Sequence, residues 1–341
     1  MSERALLPAA LGEWLNGRED GHAGLGELVA CLRELRLAGL DDLPLPGSGQ
    51  TLQRWRALSC VASHDLNLCK LYEGHTDALA VMAELGAPAP AEDSLWGMWA
   101  AEPPQAKVRI VAESGGEARL DGVKAWCSGA DQLTHGLLTA WDANGEQQLV
   151  AVKMEQPGVS TNSGSWQAIG MGATQSIEVS FRRAHGVLVG GPGDYLRRPG
   201  FWQGGGGIAA CWYGAAQALA EYLRGQGHRG EPHTLAHLGA VDAALQASAA
   251  LLRDCAAWID RNPTASAEMA VRRSRAVCED AAESLLRHVG RALGAAPLCL
   301  NRRYARLATD LPVLLRQSHA ERDLAALGEL VAKDPAGSWL L

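Results

Sequence analysis

The chain has 341 residues, of which 47% are hydrophobic and 20% are charged, and its formal net charge is −7. The hydrophobic content is enough to bury real cores, so disorder is not expected, and the acidic balance argues against nucleic-acid binding, which needs a basic face. Eight cysteines occur without any C-x-x-C pair, which favours reduced thiols and argues against a metal site.

Charged residues interrupt the first twenty positions, so no signal peptide is expected. The longest uncharged run, Pro199–Ala220, is glycine-rich and begins with proline, which argues against a membrane span. A soluble, cytoplasmic protein is therefore predicted.

Three helices are predicted before residue 90. Apolar residues recur at helical spacing over Leu25–Leu37, and similar patterns follow over Leu52–Ser63 and Leu66–Leu85. Residues 41–49, rich in proline and glycine, separate the first two helices. Ala87-Pro88-Ala89-Pro90 ends the third, so residues 1–90 are predicted to form an N-terminal helical domain.

Short strands with turn signals between them dominate residues 91–195, and this spacing predicts an antiparallel β-barrel or sandwich. Residues 196–341 return to long alanine- and leucine-rich helical patterns, over Ile208–Gly225, Thr234–Asp260 and Ala265–Leu293. They are predicted to form a four-helix-type bundle. The order of helices, strands and helices predicts an α+β fold.

One segment, Leu120–Ala130 (LDGVKAWCSGA), combines a turn signal with a strand that has two unlike faces. Asp121-Gly122 is typical of a tight turn, and alternation after it puts Trp126 and Ser128 on one face. An indole and a hydroxyl so placed suit a flat heteroaromatic ligand that needs a stacking wall and a hydrogen bond. The alternative is a buried strand with an internally bonded serine, and most tryptophans of this region are expected in the core.

A second segment, Gly170-Met171-Gly172-Ala173-Thr174-Gln175-Ser176, is followed by apolar residues at every second position. Together with the Lys-x-Trp-x-Ser strand it resembles the central β domain of the acyl-CoA dehydrogenase family of flavoproteins. Residues 24–86 and 201–329 resemble that family's two helical domains. The resemblance implies FAD, an acyl-CoA or acyl-carrier thioester as substrate, and a homodimer or homotetramer. It also implies cofactor contacts for six residues: Met98, Trp99, Ala101, Trp126, Cys127 and Ser128.

The family's reaction, as the resemblance implies it, needs a carboxylate that removes the substrate's α proton away from water. The turn that carries this base corresponds to Arg316-Gln317-Ser318-His319, where the Gln317 amide cannot act as a base. His319 is an alternative base. Glu321 is assigned to a capping box that starts with Ser318 and opens the last helix. Gly205 stands where many members have an arginine close to the substrate.

Other segments also depart from the family pattern. Ala101-Glu102-Pro103 stands where Thr-Glu-Pro is usual, and residues 224–230 (RGQGHRG) and 291–295 (RALGA) replace two elements that commonly hold FAD across a subunit interface. Gly204–Gly207 precede a helix predicted to begin near Ile208. They are interpreted as a hinge between domains or, alternatively, as a phosphate-binding helix N-terminus.

Three functions follow from these observations. The first is an acyl-CoA dehydrogenase-like oxidoreductase acting on CH-CH groups, with Gln317 counting against α,β-dehydrogenation. The second is a flavin-dependent monooxygenase on the same fold, which needs no α-proton base because reduced flavin activates oxygen. The third is a non-catalytic paralogue that binds an acyl carrier or a partner protein.

Overall fold

The computed structural model describes residues 7–18, 24–227, 230–334 and 339–340. The chain divides into two compact units. The sheet unit consists of Met1–Leu43 and Asp65–Phe201, and the helical unit consists of Pro44–His64 and Trp202–Leu341. Residues 44–64 thus join helices that come after residue 201 in the sequence.

In the part of the chain that the structure describes, four helices precede the strands: α1 (Leu7–Asn16), α2 (Leu25–Leu37), α3 (Thr51–His64) and α4 (Leu66–Glu84). Both ends of α2 and the start of α4 are as predicted, whereas both ends of α3 and the end of α4 differ by one residue. α4 begins directly after Asp65, whose carboxylate accepts the amides of Asn67 and Leu68 at 2.7 and 3.1 Å. This N-cap satisfies two amides that the first turn leaves without helical partners.

Seven strands follow: β1 (Trp96–Trp99), β2 (Val108–Ser114), β3 (Glu117–Cys127), β4 (His135–Trp141), β5 (Gln147–Lys153), β6 (Val159–Asn162) and β7 (Ile177–Val189). Antiparallel pairings join β2 to β3, β3 to β7, β7 to β5 and β5 to β4. A parallel contact between Arg109 and Trp141 joins β2 to β4 and closes a ring of five strands. The predicted barrel is therefore present, although β2–β4 and β1–β4 are parallel pairings.

An apolar cluster fixes α4 to this sheet. Its fully buried members come from α4, β1, β4, β5 and β7: Ala78, Val81, Met82, Trp96, Leu137, Leu149 and Val189. Burial of each large side chain contributes about 1.5–3 kcal/mol. β1, which carries Met98 and Trp99, is thereby held between α4 and β4.

Within the described residues, seven helices follow the strands: α5 (Asp194–Arg197), α6 (Gly200–Arg224), α7 (Pro232–Arg261), α8 (Glu268–Leu293), α9 (Ala296–Leu300), α10 (Arg302–Leu315) and α11 (Glu321–Lys333). Within the helical unit, α7 packs against α8 and α3, and α8 packs against α11 and α10. The order of helices, strands and helices confirms the predicted α+β class.

The glycine run lies inside α6, so both predicted interpretations, a hinge and a helix N-terminus, are wrong. The physical reason is close packing against α3. A Cβ on Gly206 would lie 2.4 Å from the Trp55 ring, and one on Gly207 would lie 2.9 Å from Leu58. Two helical turns further on, a Cβ on Gly214 would lie 2.2 Å from the Ser59 carbonyl oxygen. These glycines let the two helices approach closely.

α7 is the one helix of the described ranges that is long and apolar enough to cross a bilayer by length and composition, with a mean hydropathy of 1.4 over its most apolar stretch. A single helix of this kind is a weak indication of a membrane span. All eight cysteines are free thiols.

Candidate functional site

Trp126 lies on a β-bulge near the end of β3. The register with β7 shifts between Lys124 and Cys127, which inserts one extra residue into β3. Trp126 has a left-handed φ of 62° and is 56% exposed, and its indole meets that of Trp166 edge to face with ring centroids 5.9 Å apart. Such a backbone costs about 1–3 kcal/mol, and strain of this kind collects at ligand sites. The bulge presents an aromatic surface on which a flat ring can stack.

Asp121 and Gly122 do not form the predicted tight turn, because β3 continues through them. Arg183 is the extra residue at a bulge of β7, so it has no partner in the ladder between β3 and β7. Its amide donates to the Asp121 carboxylate instead. Gly122, with φ of 128°, lies so close to β2 that a Cβ would be 2.1 Å from the Lys107 carbonyl oxygen. The glycine is therefore required by strand packing.

Ser128 begins a chain of hydroxyl groups. The bulge at Trp126 ends the alternation, so the predicted common face is wrong, and Ser128 is only 6% exposed. Its Oγ lies 2.7 Å from Ser176 Oγ, which lies 3.0 Å from Thr174 Oγ1, and Thr174 donates to the Met171 carbonyl at 2.8 Å. Since each hydroxyl has one proton, Ser176 must donate to Thr174 and Ser128 to Ser176. The Ser128 oxygen is thereby left as a hydrogen-bond acceptor.

The segment Gly170–Ser176 folds against the end of β3. The Gly129 amide donates to the Thr174 carbonyl at 2.9 Å. The Trp166 indole, which meets Trp126 edge to face, donates to the Gly172 carbonyl at 3.2 Å. This bond attaches Trp166 to the same turn. The two segments that carry the family resemblance therefore form one local structure. Trp166, expected in the core, is a half-buried part of it.

Trp99 is buried, with 2% of the residue exposed. The ring packs so tightly over the backbone of β1 and β4 that Cβ atoms on Gly97 and Gly136 would lie 2.5 and 2.2 Å from it. Its Nε1 donates to the Ser128 carbonyl at 3.2 Å. Trp99 therefore holds the loop that carries Ser128.

The remaining predicted contacts differ in exposure. Met98 is partly buried beside the apolar cluster on α4, and Ala101 is exposed. The Cys127 thiol is fully buried and donates to the Lys124 carbonyl at 3.4 Å, and burial raises its pKa. The whole residue, backbone included, has no exposed surface.

A buried ion pair links the Ala-Glu-Pro segment to the Lys-x-Trp-x-Ser strand. Lys124 is fully buried, and its Nζ donates to the Glu102 carboxylate and, at 2.9 Å, to the Thr139 carbonyl. Glu102 also accepts the Trp141 indole at 2.9 Å. Burial lowers the pKa of the Lys124 ammonium, and the charge of Glu102 opposes this. Sequence reasoning named both motifs and missed their connection.

A second buried network supports β1. His75, on α4, has its Nε2 3.0 Å from the Asp41 carboxylate, and its Nδ1 accepts the Trp96 amide at 3.1 Å. Arg36 donates to the same carboxylate at 2.7 Å. Burial raises the pKa of Asp41, but the hydrogen bonds from His75 and Arg36 outweigh burial and hold it below its usual value.

The turn that corresponds to the family's base lies between α10 and α11. The Gln317 side chain is partly buried, whereas His319 is 66% exposed, with its Nδ1 3.8 Å from Asp323. A base for α-proton removal must be shielded from water, which His319 is not. Among the described residues, no group of three or more His, Cys, Asp or Glu side chains is placed to hold a metal ion.

The predicted capping box at this turn is wrong, because α11 begins at Glu321 and Ser318 lies too early to cap it. Ser318 Oγ accepts the Ala320 amide at 3.0 Å, and Asp323 accepts the His319 amide at 3.0 Å. Asp323 thus performs the role assigned to Glu321, which is exposed.

Arg275, on α8, is a functional candidate that sequence reasoning missed. It donates from Nη1 to the Gly205 carbonyl at 3.0 Å and from Nη2 to the Gln317 carbonyl at 3.2 Å. Its guanidinium lies 4.7 Å from the ring centroid of Trp212. Sequence gave no signal for these bonds, because both acceptors are main-chain groups.

The segments that replace the FAD-holding elements lie at helix ends. α6 ends at Arg224, and residues 228 and 229 of the first segment lie outside the described residues. The second segment covers the end of α8, where Gly294 has a left-handed φ of 65°.

No protein-family model matches the sequence, and no curated protein matches it either. Solved structures do match over nearly the whole chain. Methanesulfinate monooxygenase from Pseudomonas fluorescens is 18% identical, with a TM-score of 0.79 and 97% of each chain covered. The FMN-bound dibenzothiophene monooxygenase from Paenibacillus sp. A11-2 is 17% identical, with a TM-score of 0.77, covering 96% of this chain and 94% of the other.

Glutaryl-CoA dehydrogenase from Mycobacterium smegmatis is 17% identical, with a TM-score of 0.80, covering 99% of this chain and 96% of the other. The same architecture therefore occurs in a dehydrogenase and in monooxygenases. The predicted resemblance is confirmed at the level of structure: this chain has the fold of the acyl-CoA dehydrogenase-type flavoproteins.

Proposed function

We propose that the protein is a flavin-dependent oxidoreductase that acts as a monooxygenase on a small substrate. The observation that carries the proposal is the strained, exposed Trp126 two residues before Ser128, whose hydroxyl oxygen is left as an acceptor. The base position supports oxygenation over dehydrogenation, because it holds the Gln317 amide followed by an exposed imidazole. Methanesulfinate and dibenzothiophene monooxygenases are among the proteins with this fold.

The residues present fit a flavin. Trp126 offers a stacking surface, and Ser128 offers an acceptor for a ring N–H. Trp99 holds the loop that carries Ser128. A bound reduced flavin supplies the two electrons with which dioxygen delivers one oxygen atom to the substrate and the other to water. FMN is favoured over the FAD of the initial prediction, since residues 224–227 and 291–295 do not match the elements that commonly hold the adenine half.

Flavin titration tests the cofactor. We expect the purified protein to bind FMN, and Trp126→Ala to weaken binding about tenfold, since one aromatic stacking contact contributes about 1–3 kcal/mol. Trp14→Ala is the matched control, because Trp14 lies on α1 and stacks with Arg18. A protein that stays colourless with both FMN and FAD contradicts the proposal.

Oxygen consumption separates the two reactions. With a flavin reductase and NADH, we expect substrate-dependent oxygen uptake beyond that of the reductase alone. No acyl-CoA is expected to reduce the bound flavin anaerobically. The dehydrogenase alternative is correct if the wild-type protein dehydrogenates an acyl-CoA. It is also correct if Gln317→Glu alone is active, and only in the anaerobic acyl-CoA assay.

We further propose that the protein is a homodimer or homotetramer. The exposed face of α7 carries small apolar residues at alternating spacings of four and three: Ala236, Ala240, Ala243, Ala247 and Ala250. This spacing is typical of a helix face that packs against another helix. Light scattering should give a multiple of the chain mass, and Ala243→Glu should reduce it. A wild-type mass of one chain contradicts the proposal.

A further inference from the structure

Arg275 connects the two positions that the family resemblance assigns to substrate handling. Gly205 has no side chain and Gln317 has an amide, yet one guanidinium donates to both backbone carbonyls, at 3.0 and 3.2 Å. Trp212 lies beneath the same guanidinium. The cation is thus fixed at three points, on α6, on the turn before α11 and over an aromatic ring.

Neighbouring arginines are neutralised by carboxylates. Arg272 donates to Glu268 at 2.9 Å and to Asp323 at 3.1 Å, and Arg316 contacts two glutamates on α8. The hydrogen-bond acceptors of Arg275 within the described ranges are neutral carbonyl oxygens. The carboxylates of Asp323 and Glu279 interact with it only at longer range. Arg275 therefore keeps a positive charge that no directly bonded carboxylate cancels, and it has N–H groups beyond the two already used.

Gly205 leaves room beside this cation. The nearest atom to a Cβ built there is in Val271, at 3.9 Å, which is ordinary van der Waals contact. Packing therefore requires glycine at Gly206 and does not require it at Gly205. The absent side chain keeps open the surface next to the carbonyl that Arg275 binds.

We propose that Arg275 binds an oxyanion group of the substrate, so that the substrate is a small organic acid. This inference deepens the proposed function and rests on it, because the family resemblance is what assigns Gly205 and Gln317 to the substrate. A guanidinium presents paired N–H donors to two oxygens, a geometry that selects a carboxylate or a similar oxyanion over a neutral amide.

Calorimetric titration without flavin tests the inference with butyrate and benzoate, each compared with its neutral amide. We expect each acid to bind at least about tenfold more tightly than its amide, as for a charge-assisted hydrogen-bonded pair. Arg275→Gln should abolish this preference, and Arg275→Lys should retain part of it, because the charge remains and the fork is lost. Arg272→Gln is the matched control, since Arg272 is already paired with carboxylates, and it should keep the preference.

Equal binding of acid and amide to the wild type, no binding of either acid, or an unchanged preference in Arg275→Gln would overturn the inference. Thermal melting of each variant shows that it is folded. Failure of the flavin titration would count against the proposed function alone, because the acid titration is read without flavin.

Discussion

The ammonium of Lys124 and the carboxylate of Glu102 form an ion pair inside the sheet unit, across 22 positions of sequence. Thr139 completes the pair by accepting from Lys124 through its carbonyl, and Trp141 donates to the other carboxylate oxygen. The strand that carries Trp126 and Ser128 is therefore anchored two residues before the bulge. The lysine of the Lys-x-Trp-x-Ser motif has a structural role. The proposed function assigns the tryptophan and serine of the motif to the flavin.

Glu102→Gln should destabilise the protein by about 3 kcal/mol, because it leaves the buried Lys124 ammonium without a counter-charge. This loss is at the low end of the range for buried ion pairs, because Glu102 is partly exposed. The double variant Lys124→Met/Glu102→Gln should lose less than Glu102→Gln alone. Urea unfolding measures both. Equal losses would show that the pair adds no coupling.

Neighbouring glycines in α6 should respond oppositely to the same substitution. Gly206→Ala forces a methyl group against the Trp55 ring and should cost about 1–3 kcal/mol. Gly205→Ala meets no close atom and should stabilise the helix by about 0.5–1 kcal/mol. Thermal unfolding of the two variants provides the comparison, and a similar loss at both positions would contradict the close approach of α3 and α6.

Asp41 should make stability depend on acid. Its pKa is lower in the folded protein than its ordinary value of 3.8, so its contribution is complete above about pH 4 and is lost as the pH falls through the folded pKa. At pH 6, Asp41→Asn should cost about 1.5–3 kcal/mol, because two charge-assisted bonds are weakened. The difference in the free energy of unfolding between Asp41→Asn and the wild type should be smaller at pH 3. Asp280→Asn, at an exposed position of α8, is the control and should show little change at either pH.

The hydroxyl chain should favour reduced flavin over oxidised flavin. The proton order leaves Ser128 as an acceptor, and reduction places a hydrogen on a ring nitrogen that is bare in oxidised flavin. Ser128→Ala should weaken reduced flavin about fivefold to tenfold and oxidised flavin less. Ser176→Ala frees the Ser128 proton and should narrow the preference.

Anaerobic titrations with both redox forms of FMN measure these affinities. Ser114→Ala, at the exposed end of β2, is the control and should leave both unchanged. A larger loss of oxidised than of reduced flavin in Ser128→Ala would contradict the deduced proton order.

Local patterns predicted the features that depend on neighbours in sequence. The ends of α2 and α4 follow from amphipathic spacing and from the Asp65 cap, which act within a few residues. The sequence analysis named Trp126 and Ser128 as two unlike side chains close together in sequence. Their arrangement was not predicted, because the bulge depends on the register with β7, which local alternation cannot report.

Contacts between distant segments account for the rest. Gly122 and the glycines of α6 satisfy close approaches to residues far away in sequence, so turn and hinge signals misled at both places. Arg275 was invisible because carbonyl oxygens, present at every position, are its partners. Trp99 was expected to contact a ligand. Its burial could not be predicted, because it depends on Gly136 on another strand.

The placement of α3 in the helical unit affects how the chain folds during synthesis. A ribosome that adds 5–20 residues per second delivers Trp55 roughly 8–30 seconds before Gly206, its tightest neighbour on α6. During that time α3 lacks its partners α6 and α7, whereas the strands of the sheet unit are being completed. The contact between α3 and α6 closes the long chain segment between them, and by the loop-closure argument this is a late, entropically costly step in assembling the helical unit.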